Sequence, residues 1–252
     1  MTVNAPRRPR RYRQPDPKFM TFVEHLEELR HRLIICALAI ALGSVVGWFL
    51  AGRAIHLLDQ PLCKALGHKN CALYTPQVYG AFTLNLKIAI IIGFAIALPV
   101  TLYQIWGFVA PAFGPAANFW APLWILSALL LFFAGAVTGY FVIPLALNFF
   151  DKFSGQTIQI LPFASEYVSF VVLILAVFGV SFELPLVLVS LTAAGITSSR
   201  WLSSKRIYFF FGIFAVATIV TPGADWISPL ILGGILYVLF EASILVSRLL
   251  GK

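Results

Sequence analysis

The sequence predicts an all-α membrane protein with six transmembrane helices. Three observations carry this. Hydrophobic residues make up 60% of the 252 residues and charged residues only 11%, whereas a soluble domain is nearer half apolar and a quarter charged. Six apolar runs fall at 33–50, 78–106, 122–149, 166–194, 207–220 and 227–246, and a helix needs roughly 20 apolar residues to cross the hydrocarbon. Lys and Arg gather on one side of those runs, which fixes an orientation. Helix is the only reading, because an isolated strand leaves its backbone unsatisfied in lipid.

Along the chain, residues 1–21 form a basic tail with Arg7, Arg8, Arg10, Arg11, Arg13 and Lys18. It reads as a cytoplasmic anchor. No cleavable signal peptide is expected, since the first apolar run starts only at Leu33 and has no small-residue cleavage site. Residues 22–252 then form a single six-helix membrane domain. It opens with an amphipathic segment, 22–32, in which Phe22, Leu26, Leu29 and Leu33 recur at helical spacing. That segment is expected to lie on the membrane surface and run into the first span. Pro99, Pro144 and Pro185 fall inside the second, third and fourth runs, and each is expected to kink its helix. The fifth run is too short to cross a full bilayer, so thinning or shelter by protein is expected.

Arg30, Arg32, Arg200, Lys205, Arg206, Arg248 and Lys252 lie on the same side as the basic tail, while Arg53, Lys64, Lys69 and Lys152 lie on the other. The positive-inside rule puts both termini in the cytoplasm, and six spans agree with that. The net charge of +8 follows from this topology and does not imply nucleic acid. The surrounding partner is the lipid bilayer of the cytoplasmic membrane.

Enzymatic signatures are absent: there is no Gly-rich phosphate loop, His-Glu-x-x-His or Gly-x-Ser-x-Gly. No cofactor is implied. Lys87, Glu166, Glu183 and Glu241 lie within or at the edges of spans, where a charge costs roughly 2.5–3.5 kcal/mol at mid-depth. Glu183 is the deepest. Pro185, two residues on, leaves the carbonyl of Ser181 without its usual partner. Lys87 is expected to snorkel outward, and Glu166 and Glu241 to be solvated or capping. Glu24, Glu27 and Glu28 line the amphipathic segment, with Glu28 spaced to pair with Arg32. Cys36 lies in the first span and reads as a small core hydrophobe. Cys63 and Cys71 share the first exoplasmic loop, an oxidising place, and are expected to form a disulfide. With His68 they supply only three zinc ligands, so no metal site is expected.

Three stretches resemble the TatC family, the core receptor subunit of the twin-arginine protein translocase. They are Phe22-Val23-Glu24-His25-Leu26-Glu27-Glu28-Leu29-Arg30-His31-Arg32-Leu33, Leu102-Tyr103-Gln104-Ile105-Trp106-Gly107-Phe108-Val109-Ala110-Pro111-Ala112, and Phe178-Gly179-Val180-Ser181-Phe182-Glu183-Leu184-Pro185. The similarity runs over 22–251. It implies recognition of twin-arginine signal peptides on folded cargo, single-span partners of the TatA and TatB type, self-association, and transport driven by the proton-motive force. It also implies a concave, glove-like bundle with short fifth and sixth helices. By the same resemblance Glu28 contacts the signal peptide, with Arg30 in the same motif, and Glu183 meets a polar group of a partner inside the bilayer. Phe108 matches a further family position and is expected to join the signal-peptide site, while Pro61, Pro111, Tyr140, Pro185 and Asp225 are expected to have structural or partner-contacting roles.

The chain departs from the family pattern once. A second family glutamate is expected a few residues after Ala110-Pro111, but Ala117 stands there with no acid nearby. Glu24, one turn before Glu28, is the candidate for the second carboxylate, with Glu27 as the other. The competing function is an ion-coupled secondary transporter using Glu183 as a proton relay. The repeated halves typical of transporters are not visible.

Overall fold

The computed structural model describes residues 22–66, 73–111, 113, 117–154, 163–220 and 226–251. Among these the elements are helices: α1 (Phe22–Leu66), α2 (Gly80–Val109), α3 (Ala117–Ser154), α4 (Ala164–Ser181), α5 (Leu184–Ala193), α6 (Ser199–Ser204), α7 (Arg206–Val220) and α8 (Ile227–Leu249). Five stretches are long and apolar enough to cross a membrane, and a shorter one, Arg206–Ile219, joins them. Large side chains on their outer faces are bare. Phe49 is 81% exposed and Leu42 71%, which suits hydrocarbon rather than water as the surrounding phase.

The amphipathic segment does not form a separate surface helix. Residues 22–32 are the first turns of α1, one helix of 45 residues. Nothing in the sequence breaks it there, because no Gly or Pro occurs between Phe22 and Gly43. At 1.5 Å per residue α1 is about 68 Å long, twice the hydrocarbon thickness. Its far end therefore reaches past residue 50, where the first run ends, and carries Cys63 inside the helix rather than in a loop.

The fourth span is interrupted rather than kinked. α4 stops at Ser181, Phe182 and Glu183 form a turn, and α5 restarts at Leu184. Pro185 sits in the first turn of α5, where the missing N–H removes no helical bond. Pro99 and Pro144, by contrast, lie inside continuous helices. Two glycines of α3 make room for the break: a Cβ on Gly135 would overlap the carbonyl of Phe178, and one on Gly139 would come within 3.1 Å of its side chain.

The short fifth span stands as expected, since α7 has 15 residues. The sixth does not: α8 has 23 residues, enough to cross in full.

α1 packs chiefly on α2, α3 on α4, and α5 and α7 on α8. Gly43 and Gly47 of α1 face Gly93 and Ala89 of α2 backbone to backbone. This small-xxx-small spacing lets membrane helices approach closely. The core centres on Phe178, Val168, Val171, Ile143 and Phe240, each at most 1% exposed. Thr192 of α5 and Ser247 of α8 share a buried 2.9 Å hydrogen bond.

Pro61 has no N–H for the carbonyl of Leu57, four residues earlier. The Tyr140 hydroxyl of α3 donates to that carbonyl at 2.8 Å. The Tyr167 hydroxyl of α4 donates to the next one, Leu58, at 2.7 Å. Tyr140 thus repairs the backbone at the proline, and the two tyrosines tie α1 to α3 and α4.

Candidate functional site

The N-terminal end of α1 and the C-terminal end of α2 meet at one mouth of the molecule. The contact is polar and aromatic. The His25 ring stacks on Phe108 with centroids 4.5 Å apart. Arg32 donates Nη1 to the carbonyl and to Oε1 of Gln104, both at 3.2 Å. Its other two donors go to Glu28, from Nε at 3.0 Å and from Nη2 at 2.6 Å. The spacing of Glu28 and Arg32 therefore gives the expected i,i+4 pair, and Gln104 extends it to α2. Gly107 closes the cradle, since a Cβ there would overlap the Arg32 guanidinium.

Two open hollows lie along this end of α1. One, of about 400 Å³, is lined by Glu27, Glu28, Arg30, His31 and Ile34. The other, of about 590 Å³, is lined by Leu26, Leu29, Arg30, Leu33, Ile34 and Ala37. They share Arg30 and Ile34, so a charged surface passes directly into an apolar one.

The sequence-predicted residues divide between this site and elsewhere. Glu27 and Arg30 are exposed, and Glu28 is half-buried beside them. Glu24 belongs to α1, but its side chain is not among those described, and the same holds for Ala117 of α3. Phe108 helps build the α1–α2 contact, and Pro111 is exposed just beyond α2. Pro61 is buried and joined to Tyr140 through Leu57, far along α1 from Glu28. Asp225 and Cys71 lie outside the described residues. Cys63 is disulfide-bonded and Cys36 is free.

Glu183 sits in the turn between α4 and α5, half-buried. Its Oε1 is buried without a hydrogen-bond partner among the described residues. Its own carbonyl accepts from Val187 at 3.0 Å, which starts α5. Lys87 donates to Ser165 Oγ at 3.2 Å and Ser169 Oγ at 2.7 Å, so its ammonium is held by α4. Glu241 is partly exposed, as expected near a span end, but it is also paired. It forms a two-bond pair with Arg206, at 2.7 and 2.8 Å, and accepts from Tyr237. The sequence reading missed it because Arg206 lies 35 residues away. It also missed Arg32 as a bridge to α2, although Gln104 and Gly107 both stand in the second motif. No cluster of His, Cys, Asp or Glu suited to a metal ion occurs among the described residues.

Fold and site together define a multi-pass helical membrane protein with a charged, amphipathic recess at one mouth. A family model described as Sec-independent protein translocase protein (TatC) matches residues 24–234. A TatC protein of Carboxydothermus hydrogenoformans is 37% identical over 234 residues, covering 92% of this chain and 95% of the relative. That of Escherichia coli K12 is 35% identical, covering 90% and 87%. A crystal structure described as the twin arginine translocase receptor TatC superposes with a TM-score of 0.75 at 33% identity, covering 91% of this chain and 100% of that one. The chain belongs to the TatC family.

Proposed function

We propose that this chain is the receptor subunit of a twin-arginine protein translocase and binds twin-arginine signal peptides at the mouth formed by α1 and α2. The observation that carries the proposal is the pair of adjoining hollows. A signal peptide has a cationic segment followed by an apolar one. The Glu27 and Glu28 hollow suits the first, and the Leu26, Leu29 and Leu33 hollow suits the second. An arginine fork pairs with a carboxylate through parallel charge-assisted bonds, which lysine cannot copy. Glu28 is the receiving carboxylate. Glu24, one turn before it, takes the place of the acid that Ala117 lacks.

The rest of the reading follows from charge and burial. Both termini lie in the cytoplasm, because the basic residues gather on that side. The protein resides in the cytoplasmic membrane, with residues 1–21 as a basic tail and 22–252 as one domain. Single-span partners of the TatA and TatB type meet it within the bilayer at Glu183, whose free oxygen can accept a polar group. Transport draws on the proton-motive force. Cys63 pairs with Cys71 on the exoplasmic side.

Binding of a twin-arginine signal peptide to detergent-solubilised protein tests the core of this, with a twin-lysine peptide as control. Retention of the arginine form alone is expected, abolished by Glu28→Ala and reduced by Glu24→Ala. Equal retention of both peptides would refute the receptor reading. Full retention by Glu24→Ala would refute the role given to Glu24.

A further inference from the structure

We infer that Arg32 is a resident guanidinium that sets the arginine selectivity of the Glu28 site. The inference rests on the reading of Glu28 as the receiving carboxylate. Both bonds from Arg32 to Glu28 fall on the same oxygen, Oε1, at 3.0 and 2.6 Å. Oε2 accepts no hydrogen bond among the described residues. An i,i+4 pair on one helix is weak by itself. This one is held from the side as well, because Nη1 is engaged twice by Gln104 of α2. Gly107 leaves the space that the guanidinium fills. The side chains are 22% and 26% exposed, so the pair is sheltered yet open to a ligand.

A cation approaching Glu28 therefore meets a carboxylate already neutralised. An ammonium is a compact point charge. It gains one contact at Oε2, and the long-range attraction that would draw it in is cancelled by Arg32. A guanidinium brings a fork. It takes Oε2 and displaces Arg32 from Oε1, forming two parallel bonds where lysine forms one. The displaced Arg32 stays anchored through the two contacts of Nη1 to Gln104, while Nε and Nη2, on a side chain 22% exposed, give up Oε1 to the incoming fork. Selectivity comes from the requirement to replace one guanidinium by another, a form of discrimination against the wrong partner.

The experiment compares dissociation constants of twin-arginine and twin-lysine signal peptides for wild type, Arg32→Lys, Arg32→Gln and Gly107→Ala in detergent. Wild type prefers the arginine peptide. In Arg32→Gln the lysine peptide binds more tightly, and the preference falls by about tenfold, the size of one charge-assisted contact. Arg32→Lys falls between, because it keeps the charge and loses the fork. Gly107→Ala keeps Arg32 but pushes its guanidinium aside, and moves the preference in the same direction. It decides the matter if Arg32→Gln does not fold. An unchanged preference in the folded variants would overturn the inference and leave the receptor reading intact. Loss of both peptides in Arg32→Gln would also overturn it, since Arg32 would then only position Glu28. A wild type without any preference for arginine would overturn the receptor reading and this inference with it.

Discussion

Tyr140 and Pro61 are 79 residues apart in sequence and act through one carbonyl. Pro61 withholds a backbone donor from Leu57, and the Tyr140 hydroxyl supplies one. Tyr140→Phe leaves that carbonyl unpaired and is expected to cost about 1 kcal/mol. Pro61→Ala restores the backbone donor, so Tyr140→Phe should cost less in a Pro61→Ala background. A thermal-unfolding double-mutant cycle in detergent checks this, and strict additivity would contradict it. The sequence named both residues through the family resemblance but could not show why they belong together. Glu28 and Arg32 were legible because their partnership is local. Arg206 and Glu241 were not, because an ion pair between two helices needs the fold before it needs the charges.

Helices were the most legible elements. Six apolar runs became five long apolar stretches and one short helix, and the run too short for a full bilayer is indeed the 15-residue α7. Boundaries were less legible. Hydropathy ended the first span at residue 50, but α1 continues to Leu66, past Gly52 and Pro61, because Tyr140 and Tyr167 tie this end down. The break at Phe182–Glu183 was only half visible. Pro185 signalled a disturbance, but a proline can either kink a helix or restart one, and the room left by Gly135 and Gly139 decides it here. Close packing of α1 on α2 was signalled by Gly43 and Gly47, a spacing the sequence reading passed over. Gly93→Val should lower the thermal midpoint of the solubilised protein by several degrees, since its Cβ would overlap Ser44 and overpacking costs about 1–3 kcal/mol. An unchanged midpoint would mean that the two helices can separate without loss. At the far end of α1, alkylation without reductant should label Cys36 alone. Labelling of Cys63 and Cys71 as well would contradict their pairing.

For the whole molecule, sidedness decides function, because a receptor for unexported cargo must open to the cytoplasm. In the proposed topology Arg30, Arg32, Arg200, Lys205, Arg206 and Arg248 lie towards one side, and Arg53 and Lys64 towards the other. A reporter that is active only in the cytoplasm, fused after Lys252, should be active, and one inserted between residues 67 and 72 should be silent. The reverse pattern would place the Glu28 mouth on the wrong face for this role. On the proposed reading the ligand lies along the first helix, charge first and apolar segment after.

Site-specific crosslinking tests that claim most directly. Ile34 lines both hollows, whereas Val238 of α8, 67% exposed, lines neither. A photoreactive residue at position 34 should form an adduct with a twin-arginine signal peptide, lost with a twin-lysine peptide and in Glu28→Ala. The same probe at position 238 should form none. Adducts at 238 but not at 34, or adducts at 34 indifferent to the arginines, would contradict the assignment of this mouth as the signal-peptide site.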